Sequence, residues 1–315
     1  MIEEENIRDE AQVQRSFASR ERPGTLYLVA TPIGNLEDMT FRAIRTLKEA
    51  DLIAAEDTRQ TRKLLTHFEI QNRLVSYHEH NREASGAELI RLLEEGKHIA
   101  LVSDAGMPAI SDPGAELAAE AASRGIPVVP IPGANAALSA LIISGLPTDR
   151  FLFAGFPPRD RKGLADFFDR LESEPGTLIL YESPHRIRKT LAYLAERWSG
   201  RRMALVRELT KRYEEVWRGT IRACLAYAEE QPPIGECCLI IEGKGAGGQP
   251  SVESGEQSGA WWAPLTITQH VGHYAEQSGG NRKEAMKLAA KDRGISRRDV
   301  YQAILEQGEA DNPES

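Results

Sequence analysis

Ile99-Ala-Leu-Val-Ser-Asp-Ala-Gly-Met-Pro-Ala-Ile-Ser-Asp-Pro-Gly114 is followed by a short alanine-rich segment and then by Gly125-Ile-Pro-Val-Val-Pro-Ile-Pro-Gly133. Two apolar runs, Ile99–Val102 and Val128–Ile131, each end in a loop rich in Gly and Pro. The segment between them, Ala115–Arg124, reads as a helix. Asp112 is placed to N-cap it, Pro113 to open it and Gly125 to end it. Strand–loop–helix–strand with both strands apolar throughout is the pattern of parallel strands covered on both faces. Ligands of open parallel sheets bind beyond the carboxyl ends of the strands, where these loops fall. The stretch therefore predicts an α/β fold with a small-molecule site built largely from backbone.

The same alternation extends upstream. Gly24–Ala30, Leu52–Ala55 and Leu74–Tyr77 read as strands, and Leu36–Ala50, Thr58–His67 and Ala84–Glu95 as helices. Downstream, Ser144-Gly-Leu-Pro-Thr-Asp149 breaks the pattern and joins two halves. The second half offers strands at Arg150–Gly155, Thr177–Tyr181, Met203–Val206, Glu214–Gly219 and Cys237–Glu242, with helices at Lys162–Leu171, Arg186–Ala195 and Ile221–Glu230. The close spacing of its later strands predicts a mixed sheet. Gly243–Gly259 is rich in Gly, Ser and Gln, as flexible linkers are. Beyond it, Asn281–Arg293 and Arg297–Gln307 form a helix pair, with Gly294 as a stop and Ser296 with Asp299 as a capping box. Such a pair suits either nucleic-acid contact or a plain helical hairpin.

The expected fold class is thus two α/β domains, a parallel N-terminal sheet and a mixed C-terminal sheet, plus a small helical appendage. The expected boundaries are a disordered acidic tail over 1–22, α/β domains over 23–146 and 147–243, a linker over 244–263 and a helical domain over 264–308.

Composition narrows the class. No apolar run approaches the length of a membrane span, so no membrane partner is expected. The acidic N-terminus lacks the apolar core of a secretory signal. Three cysteines, two of them adjacent, make a poor disulfide framework and point to a reducing cytoplasm. A net charge of −8 argues against simple electrostatic binding to nucleic acid. Local basic runs at Arg159–Lys162, Arg186–Lys189, Arg201–Arg202, Arg207–Arg212 and Arg282–Arg298 suit either phosphate binding or solvated helix faces.

Four further loops carry chemistry-bearing residues. Thr31-Pro-Ile-Gly-Asn-Leu-Glu-Asp38 follows the first strand. It lacks both the dinucleotide fingerprint and the phosphate-loop lysine. Asn35 and Asp38 suit either ligand contact or helix capping. Ala55-Glu-Asp-Thr-Arg59 is either a site or a buried ion cluster, with a site preferred. Tyr77-His-Glu-His-Asn81 places His80 and Glu79 in a site or a surface turn, and the two-residue His spacing is a weak metal signal, so no metal is expected. In Tyr181-Glu-Ser-Pro-His-Arg186, Glu182 and His185 are conceivable bases, with Ser183 as a helix cap and Pro184 at the first helical position.

Six motifs then occur in order: Leu28-Val-Ala-Thr-Pro-Ile-Gly-Asn-Leu-Glu-Asp-Met-Thr40, Ala55-Glu-Asp-Thr-Arg59, Val102-Ser-Asp-Ala-Gly-Met-Pro-Ala-Ile-Ser-Asp-Pro-Gly114, Pro132-Gly-Ala-Asn-Ala136, Phe153-Ala-Gly-Phe-Pro-Pro-Arg159 and Tyr181-Glu-Ser-Pro-His-Arg186. Together they resemble the ribosomal-RNA-modifying branch of the tetrapyrrole-methylase-like superfamily, the class III S-adenosylmethionine methyltransferases. The resemblance covers residues 24–243, and the C-terminal helices resemble that branch's tail. Met107 departs from it, standing where a small polar residue is expected, with consequences for packing and not for activity.

The resemblance implies S-adenosylmethionine bent in a cleft between the two domains, a homodimer, and 2′-O-methylation of a cytidine ribose in 16S rRNA of the small ribosomal subunit. Since glycine permits close approach and unusual dihedrals, Pro32, Asp104, Ala105, Gly106, Ser111, Gly133 and Ala134 are assigned to the cofactor, with Phe153, Leu205 and Gly235 completing the pocket from the second domain. Candidates to deprotonate or polarise the hydroxyl are Glu182, His80 and Lys211. Arg59, Arg159, Arg186 and Arg207 are assigned to RNA phosphates, where a bidentate fork helps. Two alternatives stand beside this: a methylase of a tetrapyrrole or other small molecule, and a non-catalytic S-adenosylmethionine sensor associated with RNA.

Overall fold

β1 (Leu26–Val29), β2 (Leu52–Ala55), β3 (Leu74–Ser76), β4 (Ile99–Val102) and β5 (Val128–Ile131) form one all-parallel sheet in the order β3-β2-β4-β1-β5. The computed structural model to which they belong describes residues 13–14, 23–245, 262, 265–277 and 281–310. β2 and β4 are buried along their whole length because helices cover both faces. Leu47 of α1 (Phe41–Glu49) and Leu65 of α2 (Thr58–His67) pack on one face with Ile53 and Val102. Leu93 of α3 (Arg82–Glu94) and Leu117 of α4 (Ala115–Ser123) pack on the other with Leu52 and Leu101. Each such aliphatic side chain contributes about 1.5–3 kcal/mol when fully buried.

This order puts a topological switch between β1 and β4. The helix after β1 lies on one face and the helix after β4 on the other, so the loops leaving these neighbouring strands diverge and open a crevice. The loops are nonetheless tied together. Thr31 N–H donates to Gly106 O at 2.9 Å, and Gly106 N–H donates to Thr31 O at 3.0 Å.

α5 (Ala136–Ser144) leads into the second sheet, which consists of β6 (Phe151–Gly155), β7 (Thr177–Glu182), β8 (Arg202–Arg207), β9 (Glu215–Thr220) and β10 (Cys237–Ile241) in the order β6-β7-β10-β8-β9. Only β6 and β7 are parallel, so the sheet is mixed. α5 covers one face, and α6 (Arg161–Leu171), α7 (Ile187–Trp198) and α8 (Ile221–Glu230) cover the other. Strand alternation sends Cys237 to one core and Cys238 to the opposite one, and both are free thiols.

The C-terminal helices α9 (Ile267–Gln277), α10 (Arg282–Arg293) and α11 (Arg297–Ala310) form a separate unit with its own small core of Val271, Ala285, Ala289 and Val300. Gly294 takes a left-handed conformation at the end of α10. Asp299 N–H donates to Ser296 Oγ at 3.2 Å while Ser296 N–H donates to Asp299 Oδ2 at 3.1 Å, the reciprocal capping box. The tail over 1–22 and the linker over 244–263 fall, apart from Val13, Gln14, Lys244, Gly245 and Trp262, outside the described residues. Among those residues no helix is long and apolar enough to cross a membrane.

Local structure departs from expectation at three helix starts. The helix expected over Leu36–Ala50 is split: a single tight turn over Leu36–Asp38 is held by Asn35 Oδ1, which accepts from Glu37 N–H. α1 then begins after Thr40, whose Oγ1 accepts from Ala43 N–H. Asp112 does not cap α4. Gly114 stands at that position with φ +133°, and no side chain satisfies the helix start. Ser183 does not cap α7 either; its carbonyl accepts from Arg186 and Ile187 N–H in a turn, and the helix starts at Ile187.

Candidate functional site

The loop after β4 carries backbone strain. Ala109 (φ +69°) and Ser111 (φ +62°) sit in left-handed backbone without being glycine, between Gly106 (φ +81°) and Gly114. Non-glycine residues in this region cost on the order of 1 kcal/mol each and cluster at functional sites. Gly114 has a packing reason as well, since a Cβ there would lie 2.6 Å from Leu101 Cδ2.

This loop forms one wall of a cleft of about 350 Å³ between the two sheets. Ile33, Met107, Ile110, Phe156, Val206 and Leu209 give it apolar surface, and Asp112, Asn135, Tyr181 and Glu236 give it polar groups. That combination is the usual make-up of a small-molecule site. A second cavity shares Ala105 and Glu236 with the first and is bordered by Pro32, Ser103, Asp104 and Lys63.

Acidic groups dominate the electrostatics. Burial, and then the Glu56 carboxylate, push the Asp112 carboxyl up to about 6. Burial followed by Asp104 likewise raises Glu56. Asp104 Oδ1 accepts from Asp57 N–H at 3.1 Å, which fastens the ends of β2 and β4 together. Burial pushes the Tyr181 phenol up to about 12 and the Cys237 and Cys238 thiols up to about 12, so all three stay protonated at neutral pH.

The residues expected at the cofactor distribute unevenly. Ala105, Gly106 and Ser111 line the cleft, and Pro32 and Asp104 line the adjoining cavity. Ala134 borders Gly106, its carbonyl 3.8 Å from where a Cβ at position 106 would lie. Gly133 packs against Ala30, where a Cβ would come within 2.8 Å of the Ala30 methyl. Phe153 stands edge-on to Tyr181, centroids 5.0 Å apart, behind the wall. Gly235 packs on Glu208, leaving 1.9 Å for a Cβ. Leu205 is turned away: strand alternation buries it under α6–α8, and its neighbour Val206 lines the cleft instead.

Two of the three base candidates are engaged within the fold and the third lies apart from the cleft. Glu182 is fully buried and occupied, accepting from Thr190 Oγ1 at 2.6 Å and Ser183 N–H at 2.8 Å, with Arg186 Nη1 at 3.5 Å. Lys211 Nζ pairs with Glu208 at 3.1 Å and Glu236 at 3.3 Å. Burial pulls its ammonium down, but these carboxylates outweigh it and hold the group above the ordinary lysine value. It is thus a fixed cation, and its stem packs on Gly34, with Cγ 2.5 Å from where a Cβ there would lie. His80 sits exposed in the turn after β3, beside His78, and lines neither cavity.

Of the arginines expected at phosphate, two are engaged within the fold. Arg186 Nη2 donates to Pro157 O at 3.0 Å and Pro158 O at 2.8 Å, stapling the loop after β6 to the start of α7. Arg207 Nε donates to Glu215 Oε2 at 2.6 Å across β8 and β9. Arg59 is exposed but pairs with Asp57, and Arg159 is exposed with no ion pair among the described residues.

Sequence reasoning passed over two features. One is Asp112, hidden by its position just before a helix. The other is the cationic face of α2, where Arg59, Arg62, Lys63 and His67 line an open groove. Arg62 has no acidic partner among the described residues, and Lys63 meets only Gln60. The i, i+3, i+4 spacing of these cations was a readable signal.

Residues 25–224 match the family model described as Tetrapyrrole (Corrin/Porphyrin) Methylases. The chain is 55% identical over 290 residues to ribosomal RNA small subunit methyltransferase I of Halalkalibacterium halodurans, covering 92% of this chain and 98% of that protein. It is 52% identical to the protein of the same name from Bacillus subtilis, covering 92% and 97%. Among solved structures it resembles diphthine synthase, with a TM-score of 0.56 at 14% identity, covering 70% of this chain and 90% of that one, a likeness of fold alone. With its two sheets, its cleft at the switch point and these relatives along nearly its whole length, the chain belongs to the tetrapyrrole methylase family.

Proposed function

We propose that this protein transfers the methyl group of S-adenosylmethionine to the ribose 2′-hydroxyl of a cytidine in 16S rRNA of the small ribosomal subunit. The observation that carries the reading is end-to-end likeness, at 55% and 52% identity, to two proteins named for ribosomal RNA small-subunit methylation. That coverage includes most of the C-terminal unit, which a tetrapyrrole or free small-molecule substrate does not require.

The cleft fits S-adenosylmethionine in its chemistry. Ile33, Ile110, Phe156 and Leu209 offer apolar surface to an adenine ring and a thioether chain. Glu236 offers negative charge to an ammonium. The strained loop through Gly106 and Ser111 turns backbone groups outward, and Pro32, Asp104, Ala105 and Ala134 complete that side. When bound, the donor supplies an electrophilic methyl group, so this chain's residues need mainly to align the acceptor oxygen and exclude water.

The acceptor strand has a path. The cationic groove on α2 meets the adjoining cavity at Lys63, which borders both. Phosphates laid along Arg59, Arg62 and Lys63 bring a splayed nucleotide to Pro32, Asp104 and the cleft beyond. Such contacts act locally despite the net charge of −8.

A second copy of the chain suits the exposed apolar features of the other half. α5 is apolar nearly all round, yet Leu138 and Ile142 are exposed, as are Phe151 and Leu152 on the open edge strand β6. Helices of that composition are normally buried, and open apolar edges normally covered. A cytoplasmic homodimer accounts for both.

The deciding experiment is transfer of labelled methyl from S-adenosylmethionine to small ribosomal subunits lacking the modification, followed by nucleoside analysis. Label recovered as 2′-O-methylcytidine is expected. Donor binding without transfer to RNA favours the small-molecule methylase or the sensor, and no donor binding overturns the reading.

A further inference from the structure

A ribose hydroxyl is a weak acid, and none of the groups proposed from sequence to take its proton is free to do so. Glu182 already accepts from an amide and a hydroxyl and faces the Arg186 guanidinium, Lys211 is held as a cation, and His80 lies outside the cleft. The cleft wall retains two other carboxylates. Glu236 is largely exposed and paired with Lys211. Asp112 is half-buried, lines the cleft and, among the described residues, has no lysine, arginine or histidine against it. Its neighbours are the Ser103 hydroxyl, which hydrogen-bonds it, the carboxylates of Glu56 and Asp104, and the neutral phenol of Tyr181.

We propose, resting on the functional reading above, that Asp112 is the general base that receives the proton of the acceptor hydroxyl. As the hydroxyl oxygen bonds to the methyl carbon, its proton passes to an Asp112 carboxylate oxygen. The S–CH₃ bond breaks with its electron pair left on sulfur, which departs as a neutral thioether. One positive charge is lost from sulfur and one negative charge from the carboxylate, so the net charge of the cleft does not change.

The surroundings suit that task. Burial and the Glu56 carboxylate make Asp112 a far better proton acceptor than an ordinary aspartate, with a carboxyl near 6 instead of near 4. It is still ionised at neutral pH. The left-handed backbone at Ala109 and Ser111 turns the loop so that Asp112 faces the cleft and not the start of α4, where a residue before Pro-Gly would ordinarily serve as a cap.

The test compares full-length wild type with D112N and D112E. Three quantities are measured from pH 5 to pH 9: single-turnover methyl transfer to unmodified small subunits, calorimetric affinity for S-adenosylmethionine, and aspartate carboxyl shifts by ¹³C NMR without ligand. Wild-type transfer is expected to rise with pH through about 6 and then level. D112N is expected to lose about 100-fold or more in transfer, to lose the inflection, and to keep its donor affinity within about 5-fold. One carboxyl signal titrating near 6 is expected to vanish in D112N and to persist, as a glutamate, in a slower D112E.

D112N that transfers at the wild-type rate overturns the assignment. So does a defect lying wholly in donor affinity, which would make Asp112 a counter-ion, or a wild type in which no aspartate titrates above pH 5. A wild type that binds donor yet methylates no RNA overturns the functional reading itself, an outcome distinct from all three.

Discussion

Two carboxylates stand at strand ends on opposite walls of the same cleft. Glu182 closes β7, and Asp112 closes the loop that leaves β4. Glu182 is fully buried and engaged by a backbone amide, a hydroxyl and a guanidinium. Asp112 is less buried, yet it has one hydroxyl partner and two carboxylate neighbours. The first is tied down by these partners and serves as a peg between β7 and α7. The second is destabilised as an anion and therefore basic. What separates the two is the number and sign of their partners, acting on top of the burial that raises Asp112.

E182A tests this contrast most severely. It leaves the Thr190 hydroxyl and the Arg186 guanidinium without their acceptor inside a packed core, and breaking a buried pair from one side costs about 3 kcal/mol. For a domain of this size the midpoint of thermal unfolding falls by about 6–12 °C. The remaining folded enzyme keeps its pH inflection near 6, because that inflection belongs to Asp112. Loss of the inflection in E182A would dissolve the distinction between the two groups.

T190V narrows the same question to one bond. It removes only the hydroxyl that donates to Glu182 at 2.6 Å and keeps the branched shape. A hydrogen bond to a charged acceptor contributes about 2 kcal/mol, so the expected loss is smaller than for E182A. A double-mutant cycle between the two positions measures the coupling directly, and a coupling near zero would show that the peg is held by Ser183 N–H and Arg186 alone.

The groove on α2 offers a milder contrast with the arginines of the second sheet. R62E with K63E reverses two charges that have no acidic partner among the described residues. It is expected to weaken RNA binding about 10-fold or more at low salt and to flatten the salt dependence, with S-adenosylmethionine affinity unchanged. R207E acts chiefly on the β8–β9 pairing with Glu215 and is expected to show in thermal stability.

Much of this was legible in the chain. Apolar runs such as Ile99–Val102 and Leu52–Ala55 marked the parallel strands because strands covered on both faces leave no polar positions. Asn281, Gly294 and the Ser296–Asp299 box marked helix ends through local hydrogen bonding, which spacing reports well. What escaped was set by tertiary contact. Asp112 before Pro113 and Gly114 looked like a cap, but α4 starts after Gly114, which packs closely on Leu101, and the carboxylate does not cap the helix. Leu205 and Val206 were separated by a pleat that no local pattern assigns to one face or the other in a strand buried on both. Arg186 and Arg207 looked available because their partners, Pro157, Pro158 and Glu215, are brought to them by the turn into α7 and the β8–β9 pairing.

The smallest effect sharpens the comparison most, because its sign is opposite to that of E182A. The folded-state carboxyl of Asp112 lies near 6, above its ordinary value near 4. Folding therefore favours the protonated form. The linked stability is complete below pH 4 and is lost as pH rises through 6, since above that point the fold must carry a charge it disfavours. A shift of about two units corresponds to about 3 kcal/mol in full, and the partial exposure of Asp112 to solvent discounts this to about 1 kcal/mol. D112N, which keeps the shape and carries no charge, is then more stable than wild type by about 1 kcal/mol at pH 8 and equal to it near pH 3.5, as read from denaturant unfolding at the two pH values. Equal stability at pH 8 would mean that the anion is as well solvated in the fold as in the open chain, and the cleft would hold no strained base. A gain there would mark Asp112 as a residue kept at the expense of stability, as proton acceptors in apolar clefts are.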